Sequence, residues 1–309
     1  MKRTLLKHIC CPECNSQFKL ITEEISHDEI KKGRLECKKC GRMYPIIRYI
    51  PRFVKTDTNM ESFSFEWEKH ARTQVDSSKD RRSEKSFFNK TNFNRSKLKG
   101  KLVLDAGCGT GRYTDIASRS GGEVIGFDLS FAVDYAYKNL GMRKNVHIIQ
   151  ADMFNLPFKK ETFDYVFSIG VLHHTGNAKK AFKSILKLLK RGGEIGIWVY
   201  SNQNPVTVRA TKFWRIFTTR IPKRLFYYMC YLAIPLYYIK KIPLFYPLLL
   251  LMPSSMDKGW DWIVLVTFDW YSPTFMTFHS YPEVFGWFKD NNVSITHLGE
   301  PTAVAGTKK

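Results

Sequence analysis

The chain has no uninterrupted apolar run of the ~20 residues that a membrane-spanning helix needs. One uncharged stretch, Leu225 to Ile239 (LFYYMCYLAIPLYYI), is 15 residues long and is interrupted by Pro235. The N-terminus, MKRTLLKHICC, starts basic but has no apolar segment long enough for a secretory signal, so the expected location is the cytoplasm. No internal repeat or low-complexity tract occurs, which excludes solenoids and fibrous arrays. Acidic residues are the scarcest class: 28 Asp and Glu against 49 Lys and Arg leave +21, and no acid stands between Asn204 and Met256. The excess is spread out. Residues 1–99 carry 23 basic against 13 acidic, residues 100–203 carry 14 against 9, residues 204–280 carry 9 against 3, and the tail is neutral. Such a balance suits anionic surroundings, whether nucleic acid, an anionic membrane face or acidic substrates, and also serves plain solubility.

What is present begins with seven cysteines, four of them in two C-x-x-C pairs. Cys11-Pro-Glu-Cys14 and Cys37-Lys-Lys-Cys40 are separated by 22 residues. Two such turns each offer two thiolates, and together they close a tetrahedral zinc site with no open position, a structural rather than catalytic centre. Cys10 leaves a register ambiguity that the usual C-P-x-C knuckle resolves towards Cys11. Two pairs, neither passing from a strand into a helix, argue against a redox dithiol.

The second signature is VLDAGCGTGRY, Val103 to Tyr113. An apolar strand ends in Asp105, and Gly107, Gly109 and Gly111 form a turn that lets backbone approach a ligand. The spacing differs from the dinucleotide fingerprint, and a carboxylate at Asp105 would repel a pyrophosphate. A ligand with a cationic amine and a sulfonium, S-adenosylmethionine, fits better. Further strands end at Asp128, placed to accept both ribose hydroxyls, with Leu129 beside the adenine face. Asp152, with Met153 next to it, is placed for the adenine amino group, and Ser168 lies over the methionine end. Contacts at the carboxyl ends of successive strands are what an open parallel sheet predicts.

Composition divides the chain into a cysteine-bearing segment (1–55), a polar linker or gate with aromatic clusters at Phe63, Phe65 and Trp67 and at Phe87, Phe88 and Phe93 (56–99), a cofactor-binding core (100–203), a helical cap insertion (204–280) and a C-terminal helix with two strands (281–309). In the core, short apolar runs alternate with amphipathic stretches as parallel α/β units do. Expected strands are 102–104, 123–127, 147–150, 165–169 and 195–199. A helix is expected over Ala178 to Leu189, stopped by Arg191-Gly192-Gly193. The expected fold is α/β: a doubly wound, mostly parallel seven-stranded sheet with a small N-terminal zinc ribbon and a helical insertion.

Residues 100–203 resemble the class I S-adenosylmethionine-dependent methyltransferases, particularly the broad small-molecule (type 11-like) group. The likeness rests on the glycine loop, on Val171-Leu172-His173-His174 after the fourth strand, and on Leu189-Lys-Arg-Gly192-Gly193 before the fifth. Residues 1–54 resemble a short zinc-ribbon module ending in Y-P-I-I-x-x-I-P, here Tyr44 to Pro51. Methyltransferases carrying both also share an aromatic-Glu-Trp stretch (Phe65-Glu66-Trp67) and a late F-D-W-Y-S-P segment (Phe268 to Pro273). The resemblance implies methyl transfer by in-line displacement, with S-adenosylmethionine and structural zinc as cofactors. His173 and His174 are the candidate bases, needed only if the acceptor must lose a proton. No N/D/S-P-P-Y/F motif follows the fourth strand, which disfavours exocyclic amino methylation of adenine or cytosine.

The insertion reads as a lid over the active site, as plain core packing, or as an interfacial segment whose Arg209, Lys212, Arg215, Arg220, Lys223 and Arg224 face anionic headgroups. The expectation is a methyltransferase for a small or lipid-like metabolite, peripheral to the inner membrane face in the interfacial case. An RNA methyltransferase gripping phosphates with the ribbon and basic surface is the first alternative, and a non-catalytic cofactor-binding scaffold the second.

Overall fold

The structure, a computed structural model, describes residues 1–54, 81–245, 251–252 and 259–309. Phe63, Phe65 and Trp67, and with them most of the expected linker, lie outside the described residues.

The N-terminal strands β1 (Phe18–Ser26), β2 (Glu29–Cys37), β3 (Met43–Ile47) and β4 (Ile50–Pro51) form one antiparallel sheet in sequential order. The larger sheet contains β5 (Leu102–Ala106), β6 (Glu123–Asp128), β7 (Val146–Gln150), β8 (Phe163–Ile169), β9 (Leu189–Trp198), β10 (Val293–Gly299) and β11 (Ala303–Lys308), in the order β10-β11-β9-β8-β5-β6-β7. Strands β5 to β9 pair in parallel, and β11 runs antiparallel between β9 and β10. Successive strands step from β5 to β7 on one side, and the chain then crosses to β8 on the other. The sheet's topological switch point therefore lies between the carboxyl ends of β5 and β8, where such folds bind ligands.

Buried Val103, Leu104, Val124, Ile125, Val166 and Ile197 explain the apolar runs: helices cover both faces of these strands. The flanking helices are α1 (Arg82–Thr91), α2 (Arg112–Arg119), α3 (Ala132–Leu140) and α4 (Ala178–Leu186). Helix α4 ends earlier than its periodicity predicts, and Arg191-Gly192-Gly193 belongs to β9. Leu189 pairs with Phe163, the register then shifts, and Gly192 takes a positive φ of 73° inside the resulting irregularity. The glycine pair thus bends a strand instead of stopping a helix.

The insertion forms α5 (Pro205–Thr218), α6 (Lys223–Met229), α7 (Ala233–Ile239) and α8 (Trp260–Tyr271), and α9 (Tyr281–Lys289) leads back to the sheet. Phe226, Tyr227, Cys230, Val264, Phe268 and Tyr271 form the insertion's own buried cluster. Among the described residues no helix is long and apolar enough to cross a membrane.

The small sheet sits against β7, the edge of the large one. Arg52 bridges Gln150 in parallel, extending the ladder by one residue, and Phe53 N–H donates to the Gln150 carbonyl at 2.7 Å. The Arg52 guanidinium, 7% exposed, donates to Gln150 Oε1 at 2.7 Å and to both Asp134 oxygens at 2.8 and 3.0 Å. Tyr137 donates to Glu29 at 3.0 Å, and Lys2 to the Gly141 and Val146 carbonyls at 2.6 and 2.9 Å. One buried cluster contains Leu5, Ile9, Phe18, Ile30 and Ile46 together with Ile149, Phe158 and Phe163. The edge strand is covered, which removes a template for unwanted pairing.

Candidate active site and metal centre

Cys11, Cys14, Cys37 and Cys40 converge, their sulfurs all within 4.8 Å of one another. Cys11 and Cys40 are 3.7 Å apart and Cys14 and Cys37 are 3.4 Å apart. Zinc–sulfur bonds of ~2.3 Å at tetrahedral angles require sulfurs about 3.8 Å apart, so the four thiols match that donor set. The Cys40 backbone N–H donates to Cys37 Sγ at 3.4 Å and pulls that thiol below its ordinary value, as a ligating thiolate needs. Cys10 stands outside the cluster with its thiol towards Asn15, and burial raises it to about 11. The cluster contains Cys11 and not Cys10.

Gly107, Gly109 and Gly111 all have positive φ (89°, 51° and 92°) and turn the chain from β5 into α2. A Cβ on Gly107 would lie 2.4 Å from Val171 Cγ1, so the loop closes directly on the segment after β8. Gly109 N–H donates to Asp128 Oδ2 at 3.0 Å, while Asp128 Oδ1 takes the Ser130 N–H and hydroxyl at 2.9 and 2.7 Å. A carboxylate has about four lone-pair positions, so Asp128 can still accept from a ligand hydroxyl. Asp105 lies below the loop, 2% exposed, and accepts from Thr114 at 2.6 Å. Burial, partly offset by that bond and reinforced by the Asp128 charge, raises its carboxyl to about 7. Asp152 turns back to accept from Phe154 N–H at 2.9 Å, Met153 is buried beside it, and Leu129 is half-buried after β6.

Two of the expected site residues are fully buried. Ser168 is fully buried and its hydroxyl donates to the Ala106 carbonyl at 2.8 Å, which ties β8 to β5. His173 is also fully buried, stacked on Tyr200 with ring centroids 3.8 Å apart. Its Nδ1 accepts the Tyr200 backbone N–H at 3.3 Å. Burial first, and then the neighbouring His174, His279 and Lys90, hold it well below the usual histidine range. His174, half-buried, uses Nδ1 with the Phe275 carbonyl at 2.9 Å.

The neighbourhood of Tyr200, His174 and the glycine loop, called the mouth below, holds further residues that carried little signal in the sequence. Tyr200 O–H donates to Asp269 Oδ2 at 3.2 Å, and burial raises the Asp269 carboxyl while His174, Tyr200 and Arg215 pull it back. Arg215 is fixed by the Trp270 and Pro273 carbonyls at 3.2 and 2.5 Å. Lys90 Nζ lies 3.6 Å over the Trp198 ring, and Arg82 and Arg112 lie 4.6 and 5.2 Å over Trp262. Since Arg112 opens the helix after the glycine loop, Trp262 brings the insertion to the loop's edge.

Comparison with known proteins gives these elements their context. Residues 104–197 match the family described as Methyltransferase domain, and residues 2–48 match the family described as Trm112p-like protein. The chain joins a methyltransferase domain to a Trm112p-like module. The methyltransferase domain is 30% identical over 114 residues to tRNA (carboxymethyluridine(34)-5-O)-methyltransferase of Saccharomyces cerevisiae, covering 36% of this chain and 39% of that protein. It is 32% identical over 111 residues to sterol 24-C-methyltransferase erg6 of Schizosaccharomyces pombe, covering 33% and 29%. The chain therefore spans less than half the length of either relative. Among solved structures, a complex of the Haloferax volcanii Trm112 methyltransferase activator is 14% identical with a TM-score of 0.47, covering 80% of this chain and 97% of that one.

The methyltransferase domain passes a chemical test for its cofactor. Asp105 and Asp128 crowd negative charge at two adjacent strand ends, and both push the buried Cys108 thiol upward. A cationic ligand relieves that repulsion, whereas a pyrophosphate would worsen it. The one sequence signal that pointed to Asp269 was its place within Phe268 to Pro273. Tyr200 and Lys90 carried none, because they reach the mouth from the end of β9 and from α1.

Proposed function

We propose that the protein transfers the methyl group of S-adenosylmethionine to an acceptor in tRNA, with zinc held by Cys11, Cys14, Cys37 and Cys40 as a structural ion. This reverses the order of the two acceptor classes expected from the sequence. The observation that supports it is the pairing of rings with cations at the mouth: Lys90 on Trp198, Arg82 and Arg112 on Trp262, and half-buried Trp270 and Phe278 flanking Tyr200. Base stacking needs the rings and the backbone needs the cations. The tRNA-modifying relative points the same way. S-adenosylmethionine, when bound, supplies a methyl group on a positively charged sulfur.

In this reading the glycine loop and Asp128 hold the donor, Asp105 balances its charge from below, and Asp152, Met153 and Leu129 border the adenine. Tyr200, oriented by Asp269, and His174 face the acceptor. Both position it, and His174 accepts a proton where one is lost. Burial, and then the Arg112 charge, lower Lys90 to about 7, and an approaching phosphate or carboxylate would return its proton.

The test is incubation of the zinc-loaded protein with methyl-labelled donor and total tRNA or total lipid. Label in tRNA, reduced at least tenfold by Asp269→Asn and steeply by salt, is the expected result. Label in lipid alone would replace it with the second reading, a lipid-like acceptor. The sterol relative and the exposed apolar face of the insertion favour that one. Donor binding without label in any pool would leave a scaffold.

A further inference from the structure

The insertion carries a second apolar stripe that stays exposed among the described residues. From Leu225 to Ile242 the chain runs through α6, a short 3-10 turn (Cys230–Leu232) and α7, and its inner face is buried: Phe226, Tyr227, Cys230, Ala233 and Tyr237. A helix packed this way on a protein surface ordinarily has a polar outer face. Here the outer positions are Leu225, Tyr228, Met229, Leu232, Ile239 and Ile242, at i, i+3, i+4 and i+7 spacings, with Leu232 64% and Tyr228 63% exposed. Scattered exposed apolar residues need no explanation, but a continuous stripe over four turns does.

The charges carried by the segment itself are of one sign, and the acid nearest to it, Asp261 of α8, acts on Tyr227 of the inner face. Arg220 and Arg224 stand exposed at the start of the stripe, and Lys241 stands at its end over the Tyr237 and Tyr238 rings. Arg209 and Lys212 are exposed on α5, whose Phe213, Ile216 and Phe217 are also exposed. Two cations expected to face outward do not: Arg215 and Lys223 are turned inward, Lys223 donating to the Ser272 carbonyl at 2.5 Å. The remaining exposed cations rim an apolar face on a segment without a single acid between Asn204 and Met256.

We infer that this outer face docks on an anionic lipid bilayer, with the stripe entering the headgroup–acyl boundary and Arg220, Arg224 and Lys241 reaching phosphate. Both ingredients of interfacial binding, buried apolar area and attraction to anionic lipid, lie on one face, and no described helix is long enough to do more than lie in the interface. The inference does not depend on the acceptor: docking would deliver a lipid methylase to its substrate or place a tRNA methylase at the membrane.

The experiment is vesicle flotation of the full chain with phosphatidylcholine alone or with 3:7 phosphatidylglycerol:phosphatidylcholine, roughly the anionic fraction that gives a useful surface potential. Wild type should float with the anionic vesicles at low salt. The double variant Leu232→Asp/Ile239→Asp should reduce the floated fraction at least tenfold, and Arg224→Glu should reduce it severalfold. Both substitutions fall on exposed positions, so unchanged circular dichroism and unchanged donor binding will show that the fold survives. Absence of flotation with anionic vesicles at low salt overturns the inference. So does a dimer that the double variant converts to monomer without wild type ever floating, since the stripe would then be covered by a second copy. Loss of tRNA retention in the double variant with flotation intact also overturns it, because the stripe would then serve RNA.

Discussion

At the residue scale, the candidate cofactor site is governed by how a few charged groups are desolvated. Asp105 carries the clearest consequence. An unfolded aspartate titrates near ~3.9, whereas burial first, then the Asp128 charge against the Thr114 bond, hold this one at about 7. Between those values the folded chain keeps a proton that the unfolded chain releases. The contribution to stability is therefore complete below about pH 4 and is lost as pH rises through 7. The change is on the order of 4 kcal/mol, with the cofactor-free protein as reference. Asp105→Asn keeps an acceptor for Thr114 without the ionisation, so its urea midpoint should be flatter than wild type between pH 5 and 8. Equal slopes in the two proteins would show that Asp105 is not the titrating group. His173 shows the opposite effect of burial: desolvation beside Tyr200 disfavours the charged form of its ring.

At the scale of elements, the four cysteines do for β1 to β4 what a hydrophobic core cannot do in ~50 residues. Cys11 and Cys14 precede β1, and Cys37 and Cys40 sit at the turn between β2 and β3, so one ion would join both ends of the small sheet. Cys37→Ser/Cys40→Ser should purify without stoichiometric zinc and lose about 3 kcal/mol, a thermal midpoint lower by roughly 10 °C. Full metal retention would mean the ligand set is wrong. The glycine loop is the complementary element: Gly107 abuts Val171, so the turn that admits a ligand also fixes the loop that leads to His173 and Tyr200.

At the scale of the whole molecule, the two modules should unfold as one unit, because Arg52 reaches across their junction. Its guanidinium satisfies Gln150 and Asp134 in a nearly buried place. Arg52→Ala leaves both without that partner and should cost about 3 kcal/mol. Zinc content should stay unchanged, which would separate loss of docking from loss of the metal site. Urea unfolding that remains a single wild-type-like transition would indicate that the junction is held by apolar packing alone.

The sequence by itself determined the parts whose chemistry is local. Two C-x-x-C turns, a glycine loop behind an acid, and acids at successive strand ends specify their own geometry, because thiol spacing and positive-φ turns depend on neighbours a few residues apart. Those local signals also carried the sheet, since buried parallel strands read as short apolar runs between amphipathic stretches. Only the tertiary structure decided what lies between elements distant in the chain. It buried His173 and Ser168, brought Asp269 to Tyr200 and Lys90 to Trp198, turned Arg215 and Lys223 inward, and left the Leu225 to Ile242 stripe outside. Whether a side chain is a base, a strut or a docking residue depends on its desolvation and its partners, and those are set by contacts up to about a hundred residues away along the chain.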